Sequence, residues 1–326
     1  MKPLVERRPE GLYCLEGDFY IDPWRPVERA VITHAHADHA RSGHKHYLAH
    51  VDAAEILRTR LGASISLQTV DYQERIHLGS VQLSLHPAGH VLGSAQIRMD
   101  YKGQVWVVSG DYRVQADPSC EGFEPLVCDV FITESTFALP IYRWEPQSVV
   151  MEEISTWWQA NAAQGLRSVL YTYSLGKAQR IAMALPEGPV FVHPAVDAIN
   201  ACYRHAGRKI PASVCWRGEQ KPPAGSLLLA PPSVADSAAL ARLGAYEDAS
   251  VSGWMRLRGI RRRRALDRGF VISDHADWPG LLWAIRETKA EKVFVTHGQV
   301  EILVRYLCEQ GIDAAPLQAA GWGEDV

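Results

Sequence analysis

Short apolar runs alternate with polar turns along the first 140 residues, and most of these runs stop at a polar residue. The segment 12–33 is predicted to contain several short strands separated by turns. The segments 81–85, 95–100, 104–108 and 127–133 each have the length and composition of one strand. Side chains at strand ends are positioned by the sheet and open onto loops, which is where α/β folds commonly place binding and catalytic groups. The pattern therefore predicts a site built along strand ends.

The pattern changes after Pro140, where helical and strand-like segments alternate. The segment 147–163 is predicted as an amphipathic helix, 168–172 as a strand, and the segment that follows as a helix to about residue 184. This alternation is typical of parallel βα units. Strand and helix patterns return after residue 269. The sequence therefore predicts one domain formed by residues 1–142 and 263–326, and a second domain inserted at 143–262.

Composition limits the classes of protein to consider. The chain has 326 residues, of which 47% are hydrophobic, so it can bury a substantial core. Its net charge of -3 argues against a globally basic nucleic-acid binder and requires any such role to rest on a local patch. The six cysteines suggest no disulfide framework. Neither a secretory signal nor a membrane-spanning stretch is visible, so we expect a cytoplasmic protein with no membrane partner.

Four metal-ligand side chains fall within the six residues from His34 to His39, directly after an apolar strand. Residues i and i+2 of a strand point the same way, so His34 and His36 can face one point while Asp38 and His39 reach a second point nearby. Imidazole nitrogen and carboxylate oxygen suit zinc or manganese. A solvated turn with incidental histidines is the alternative, and it fits this spacing poorly.

Three later residues complete the predicted ligand set. His90 lies between glycines, and Asp111 and His297 each follow an apolar strand, although each alone would fit a capping or core role equally well. Asp111 can bridge two metals because a carboxylate has two oxygens. Two ions about 3.5–4 Å apart can neutralise the charge on a phosphoryl group. The predicted ligands are His34, His36, Asp38, His39, His90, Asp111 and His297, with Asp38 and Asp111 also counted as catalytic.

The order of these motifs resembles that of the metallo-β-lactamase superfamily. Downstream segments at 133–137, 272–277 and 295–298 resemble motifs of its β-CASP branch, which consists of nucleases. The resemblance covers about residues 10–310, and the compact size is most similar to that of the bacterial ligase-associated DNA exonucleases. It implies an α/β fold, a four-layer αββα metallo-β-lactamase sandwich with an inserted, reduced β-CASP-like α/β domain.

The resemblance also implies roles for individual residues. His275 would be the general acid that protonates the leaving oxygen, and Glu134 would orient it and raise its proton affinity. Asp22 would brace the metal-binding loop through backbone hydrogen bonds. Considered alone, Glu134 and His275 fit a turn carboxylate and an ordinary histidine near a helix start. The ligands would divide into His34, His36 and His90 on the first metal and Asp38, His39 and His297 on the second, with Asp111 bridging.

Positive charge is concentrated between residues 256 and 264, just before His275. Arginine pairs bidentately with phosphate, and phosphate contacts supply most non-specific affinity for nucleic acid. A solvated loop is the usual alternative for such a run. Analogy adds a 5′-phosphate pocket near Ser273. Lys177 and Arg180 follow a glycine at a possible helix start, where they fit phosphate contacts and ordinary helix-surface charges about equally well. The predicted phosphate-binding residues are Ser273, Lys177, Arg180, Arg256, Arg258, Arg261, Arg262, Arg263 and Arg264.

The leading hypothesis is a DNA exonuclease that depends on two zinc or manganese ions and acts 5′ to 3′ on single strands in DNA repair, with the polarity taken from analogy alone. An RNA-processing nuclease of the same fold stays open. A thioesterase or lactonase of the glyoxalase II type would explain the first metal motifs but not His275 or the insertion. The intact ligand set argues against a non-catalytic scaffold. Expected partners are DNA, or RNA in the alternative, and an ATP-dependent DNA ligase with other repair proteins.

Overall fold

The computed structural model describes residues 3–235, 237–257 and 268–317 of the chain. The chain forms two compact units, Met1–Arg143 with His275–Val326 and Trp144–Asp274. The second unit, 144–274, begins within one residue of the insertion predicted at 143–262 and ends later in the chain. The difference at its end arises because a strand at Arg268–Phe270 pairs with the sheet of the second unit.

The first sheet of the first unit takes its strands in chain order. The first three strands pair antiparallel, and the third to the sixth pair parallel. A helix α1 (Ala54–Leu61) connects the last two strands. The strands are β1 (Val5–Arg8), β2 (Gly11–Cys14), β3 (Phe19–Ile21), β4 (Arg29–Val31), β5 (His46–His50) and β6 (Leu67–Val70).

The second sheet of the first unit joins strands from both ends of the chain. Its strands are β7 (Ile76–Leu78), β8 (Val81–Pro87), β9 (Ala95–Tyr101), β10 (Gln104–Val108), β11 (Val130–Ser135), β18 (Lys292–Gly298) and β19 (Asp313–Pro316). Their spatial order is β19-β18-β11-β10-β9-β8-β7. β9 is antiparallel to both of its neighbours, whereas β10, β11 and β18 are parallel. Consequently β8, β10, β11 and β18 all run in the same direction.

The two faces of this second sheet pack against different partners. Val108 and Ile132 join an apolar core with residues of the first sheet such as Val31 and Leu48. Their neighbours in sequence point to the opposite face, as the two-residue period of a strand requires. There they pack against helices α6 (Trp278–Thr288) and α7 (Val300–Glu309). The first unit is therefore built from layers of sheet and helix.

The second unit is a parallel α/β sheet, which confirms the parallel βα units predicted after Pro140. Its strands lie in the order β14-β13-β15-β12-β16-β17, and every neighbouring pair is parallel. Apolar side chains fill both faces: Leu170 packs on one side, and Val169 and Tyr171 on the other. The elements are α2 (Gln147–Ala163), β12 (Arg167–Tyr171), α3 (Lys177–Ala184), β13 (Val190–Val192), α4 (Pro194–His205), β14 (Val214–Cys215), β15 (Leu227–Ala230), α5 (Ala238–Ala241), β16 (Tyr246–Val251) and β17 (Arg268–Phe270).

The cysteines and the apolar character of the helices were both subjects of expectations from composition. All six cysteines are free thiols, as their spacing predicted. Burial raises the pKa of the Cys14 thiol to about 11, so that thiol stays protonated at neutral pH. Across the described parts of the chain, none of the helices combines the length and the apolar character needed to cross a membrane.

Gly298 ends β18 where the pairing with β11 is irregular, opposite Ser135. Its φ is +90°, and a Cβ at this position would overlap the carbonyl group of Ser135. We expect Gly298→Ala to lower the free energy of unfolding by more than about 1 kcal/mol in urea denaturation, because alanine is strained at positive φ and the strands approach closely. Gly311→Ala is the control, since Gly311 has a φ of +80° but open space around it. Equal losses in both variants would contradict a role for the close approach.

Candidate metal centre

Four strands of the second sheet bring polar side chains to one edge. His90 follows β8, Asp111 follows β10, Glu134 lies near the end of β11, and His297 lies near the end of β18. Because these strands run in the same direction, their carboxyl ends share an edge of the sheet. His297 lies 186 residues from Asp111 along the chain, yet its Nε2 is 3.0 Å from Asp111 Oδ1.

The buried carboxylate of Asp111 is the point on which the imidazoles converge. Its Oδ1 contacts His297, as described above. Its Oδ2 lies 3.4 Å from Nε2 of His39, 3.6 Å from Nε2 of His34 and 3.8 Å from Nε2 of His90. Both oxygens are therefore directed at imidazoles of the predicted ligand set.

The donor atoms at this point fit a divalent cation. Potential ligand atoms of His34, His36, His90 and Asp111 all lie within 4.8 Å of one another. Nε2 of His34 is buried without a hydrogen-bond partner. A buried nitrogen without a partner raises the free energy of the folded protein unless a metal ion or another group binds it. A mixed set of imidazole nitrogen and carboxylate oxygen is the chemistry that zinc and similar ions accept.

The imidazoles and the carboxylate at this point shift one another's pKa values. Burial, together with His39 and His90, holds the pKa of His34 well below its usual value, so this imidazole is neutral and able to act as a ligand. Burial also opposes charge on His39, but Asp111, Asp22 and Asp38 outweigh it and raise its pKa. For Asp111 burial opposes ionisation, and the charges of His39 and His275 nevertheless hold its pKa well below the usual range.

Asp22 braces the loop that carries the histidine run. Its Oδ1 accepts a hydrogen bond of 2.7 Å from the backbone N–H of Thr33, and its Oδ2 contacts both the Thr33 hydroxyl and, at 2.7 Å, Nδ1 of His39. The Thr33 hydroxyl is also 3.1 Å from Nδ1 of His34. These bonds leave Nε2 of both imidazoles directed toward Asp111. The sequence interpretation missed Thr33, whose position directly before His34 was the only available signal.

His275 and Glu134 form a pair beside Asp111. Nδ1 of His275 lies 2.8 and 3.1 Å from the two carboxylate oxygens of Glu134, which is fully buried. Glu134 Oε1 also accepts a 2.8 Å hydrogen bond from the backbone N–H of Tyr112, a contact that no sequence pattern indicated. The His275 side chain keeps 22% of its surface exposed, and its Nδ1 is 4.0 Å from Asp111 Oδ2. The pair therefore presents an oriented, accessible imidazole next to the convergence point.

Asp38 differs from the other carboxylates of the site. Its side chain is 48% exposed, and its Oδ2 lies 3.7 Å from Nε2 of His39. This position is compatible with a ligand on the open side of the centre. All seven residues predicted as ligands thus form one connected cluster in the first unit, in which each contacts at least one other member.

Lys177 and Arg180, predicted as phosphate contacts, are buried in the second unit. Lys177 Nζ lies 3.2 Å from Asp274 Oδ2, and the Arg180 guanidinium contacts the other oxygen of Asp274. Burial lowers the pKa of Lys177, and Asp274 opposes that shift. Both charges are directed at a carboxylate that sequence reasoning did not single out. We therefore leave them out of the proposed nucleic-acid contacts.

The other predicted phosphate-binding residues fall into two groups. Ser273 is buried, and Arg256 is exposed at 4.0 Å from the Glu145 carboxylate. The remaining arginines of the cluster lie outside the described residues: Arg258, Arg261, Arg262, Arg263 and Arg264.

Comparisons with known proteins give partial similarities. No family model matches the chain. Over 93% of its length it is 29% identical to a protein of Opitutus terrae called probable DNA ligase, of which the match covers 30%. Over 37% of its length it is 30% identical to endoribonuclease YSH1 of Saccharomyces cerevisiae, of which the match covers 16%. The chain thus spans less than a third of the length of these curated relatives.

One solved structure has a similar fold. It is the crystal structure of a protein of unknown function from Enterococcus faecalis V583, with a TM-score of 0.62 and 12% sequence identity. The match covers 90% of this chain and 80% of that one. At this identity the likeness concerns the fold alone.

Replacing Asp22 tests its bracing role. We expect Asp22→Asn to lower zinc affinity about 10- to 100-fold in isothermal titration, because loss of the charge weakens the partner that fixes His39. Asp18→Asn is the matched control, since Asp18 is also an aspartate at positive φ but an exposed one. If Asp22→Asn binds zinc as tightly as the wild type does, Asp22 stabilises the backbone turn and does not contribute to metal binding.

Replacing Asp274 tests the buried charges of the second unit. We expect Asp274→Ala to lower the free energy of unfolding by about 3–5 kcal/mol, because Lys177 and Arg180 would keep buried charges without their carboxylate. Glu145→Ala, which removes an exposed partner of Arg256, should cost less than about 1 kcal/mol. Urea denaturation of both variants makes the comparison, and equal small losses would refute a structural role for the cluster.

Proposed function

We propose that the chain is a metal-dependent phosphodiesterase that hydrolyses nucleic acid, and more specifically a DNA exonuclease acting 5′ to 3′ on single strands in DNA repair. The observation that carries this proposal is the buried Asp111 carboxylate, on which the imidazoles of His34, His39, His90 and His297 converge. Similarity to a ligase-named protein and to endoribonucleases supports a nuclease-type function. The proposed fold is the four-layer αββα metallo-β-lactamase sandwich with a β-CASP-like second unit.

The proposed cofactors are two divalent ions, zinc or manganese, bridged by Asp111. His34, His36 and His90 would hold one ion, and Asp38, His39 and His297 the other. When bound, the ions supply Lewis-acid charge that lowers the pKa of water and neutralises a phosphoryl group.

The protein's own proton chemistry would come from His275 and Glu134. The accessible imidazole of His275 would donate a proton to the oxygen that leaves when the phosphodiester bond breaks. The buried Glu134 carboxylate accepts from His275 Nδ1, which fixes the ring orientation and stabilises the protonated form. The backbone N–H of Tyr112 holds Glu134 in place for this role. A thioesterase has no evident use for this pair.

The relatives favour two different substrates. Similarity to the probable DNA ligase covers almost the whole chain, which favours DNA and a functional link to an ATP-dependent ligase. Similarity to endoribonuclease YSH1 covers a shorter segment and favours an RNA-processing nuclease as the second candidate.

The proposal is tested with DNA and RNA oligonucleotides of one sequence, labelled at either end, and with zinc, manganese or magnesium added in turn. We expect stepwise shortening of single-stranded DNA from the 5′ end. Preferential cleavage of RNA would select the second candidate, and hydrolysis of a generic thioester without cleavage of either strand would reject both.

Two variants separate the proposed roles in that assay. Asp111→Asn should lose both metal binding and cleavage. His275→Ala should keep its metal content, measured by elemental analysis, and lose about 10²- to 10⁴-fold in kcat, the range for a positioned general acid. Loss of metal from His275→Ala would make this residue a ligand instead.

A further inference from the structure

A cleft of about 420 Å³ opens on the first unit beside the candidate metal centre. Its volume falls within the range of about 300–1,000 Å³ that small-molecule sites occupy. None of the residues singled out above as a ligand or a phosphate contact is among those that line it. The lining residues are Trp24, Ala37, Ala40, Arg41, Ser42, Arg60 and Leu61.

The metal-binding loop forms one wall of the cleft. Ala37 lies between His36 and Asp38, and Ala40 directly follows His39. The guanidinium of Arg60, from the last turn of α1, donates a hydrogen bond to the carbonyl of Ala35 in the same loop. A ligand in this cleft would therefore lie beside the loop that carries four of the seven candidate ligands.

The cleft is positively charged. Arg41 and Arg60 are both exposed, and no acidic residue is among the residues that line it. Within the described part of the chain, Arg41 forms no ion pair. Guanidinium groups match the geometry of phosphate oxygens, so an anion with several oxygens is the expected ligand.

Trp24 adds a fixed aromatic surface. Its Nε1 donates a 2.7 Å hydrogen bond to the carbonyl of Pro9, which restrains the indole ring. A restrained aromatic ring next to arginines is the combination that binds nucleotides without regard to sequence, because every base has a face that can stack.

We propose that this cleft binds a nucleotide of the nucleic-acid strand next to the phosphodiester that is cleaved. Arg41 and Arg60 bind its phosphate, and Trp24 stacks on its base. This inference rests on the proposed nuclease function and deepens it by assigning the path of the strand on the first unit. It also supplies described cationic contacts in place of Lys177 and Arg180, which are buried against Asp274.

The test measures binding separately from cleavage. Metal-free protein is titrated into a labelled single strand of about twelve nucleotides, as DNA and as RNA, and fluorescence anisotropy is recorded at several salt concentrations. Arg41→Ala should weaken binding about tenfold and reduce the slope of log K against log salt by about 0.7, the value for one phosphate contact on a single strand. Trp24→Ala should weaken binding at least about fivefold without changing the slope, as expected for loss of one stacked base.

The matched control is Arg305→Ala, which removes an equally charged and exposed arginine on α7 of the same unit. It should bind as the wild type does, and Arg60 is left intact because it contacts the metal-binding loop. Wild-type binding by both Arg41→Ala and Trp24→Ala overturns the inference, whatever the protein cleaves. If the variants weaken binding as expected but the wild type with metal cleaves no nucleic acid, the cleft stands and the proposed nuclease function fails.

Discussion

The buried carboxylate of Asp111 is the constraint on which the candidate site depends. A negative charge inside the protein is costly unless other groups compensate it, and here imidazoles from three separate segments surround it. Its strand, β10, lies between β9 and β11, so the sheet fixes its position relative to Glu134 and His297. The histidine run must then meet it from the other sheet. The apolar core between the two sheets fixes the separation of the loop after β4 and the loop after β10, and so places the histidine run beside Asp111.

Hydrogen bonds around the centre repeat one arrangement. A buried carboxylate accepts both from a backbone N–H and from Nδ1 of a histidine, as in Asp22 with Thr33 and His39, and in Glu134 with Tyr112 and His275. In each case the backbone bond fixes the carboxylate and the carboxylate fixes the ring. His39 and His275 differ in solvent exposure, and this difference suits them to different roles. His39 is buried among carboxylates and suits a metal ligand, whereas His275 remains accessible and suits proton transfer to a substrate.

Burial distinguishes two pairs of positively charged side chains. Lys177 and Arg180 are buried in the second unit, where the Asp274 carboxylate compensates their charges. Arg41 and Arg60 occupy an open cleft beside the metal-binding loop. Gly176 precedes the first pair at the start of α3, whereas Arg41 and Arg60 lie on separate segments of the chain. Arg41 lies near the loop because it follows His39 by two residues, whereas the packing of α1 brings Arg60 to the loop.

The sequence by itself determined the type and approximate limits of most elements, because hydrophobic period and turn residues are local signals. It also predicted the candidate ligands, since the spacing from His34 to His39 is informative without a structure. Only the tertiary structure brought Asp111, His275 and His297 together, showed that Asp274 neutralises Lys177 and Arg180, and identified Thr33 and Tyr112 as supports. Those facts depend on strand order, burial and contacts between distant residues, none of which leaves a local pattern in the chain.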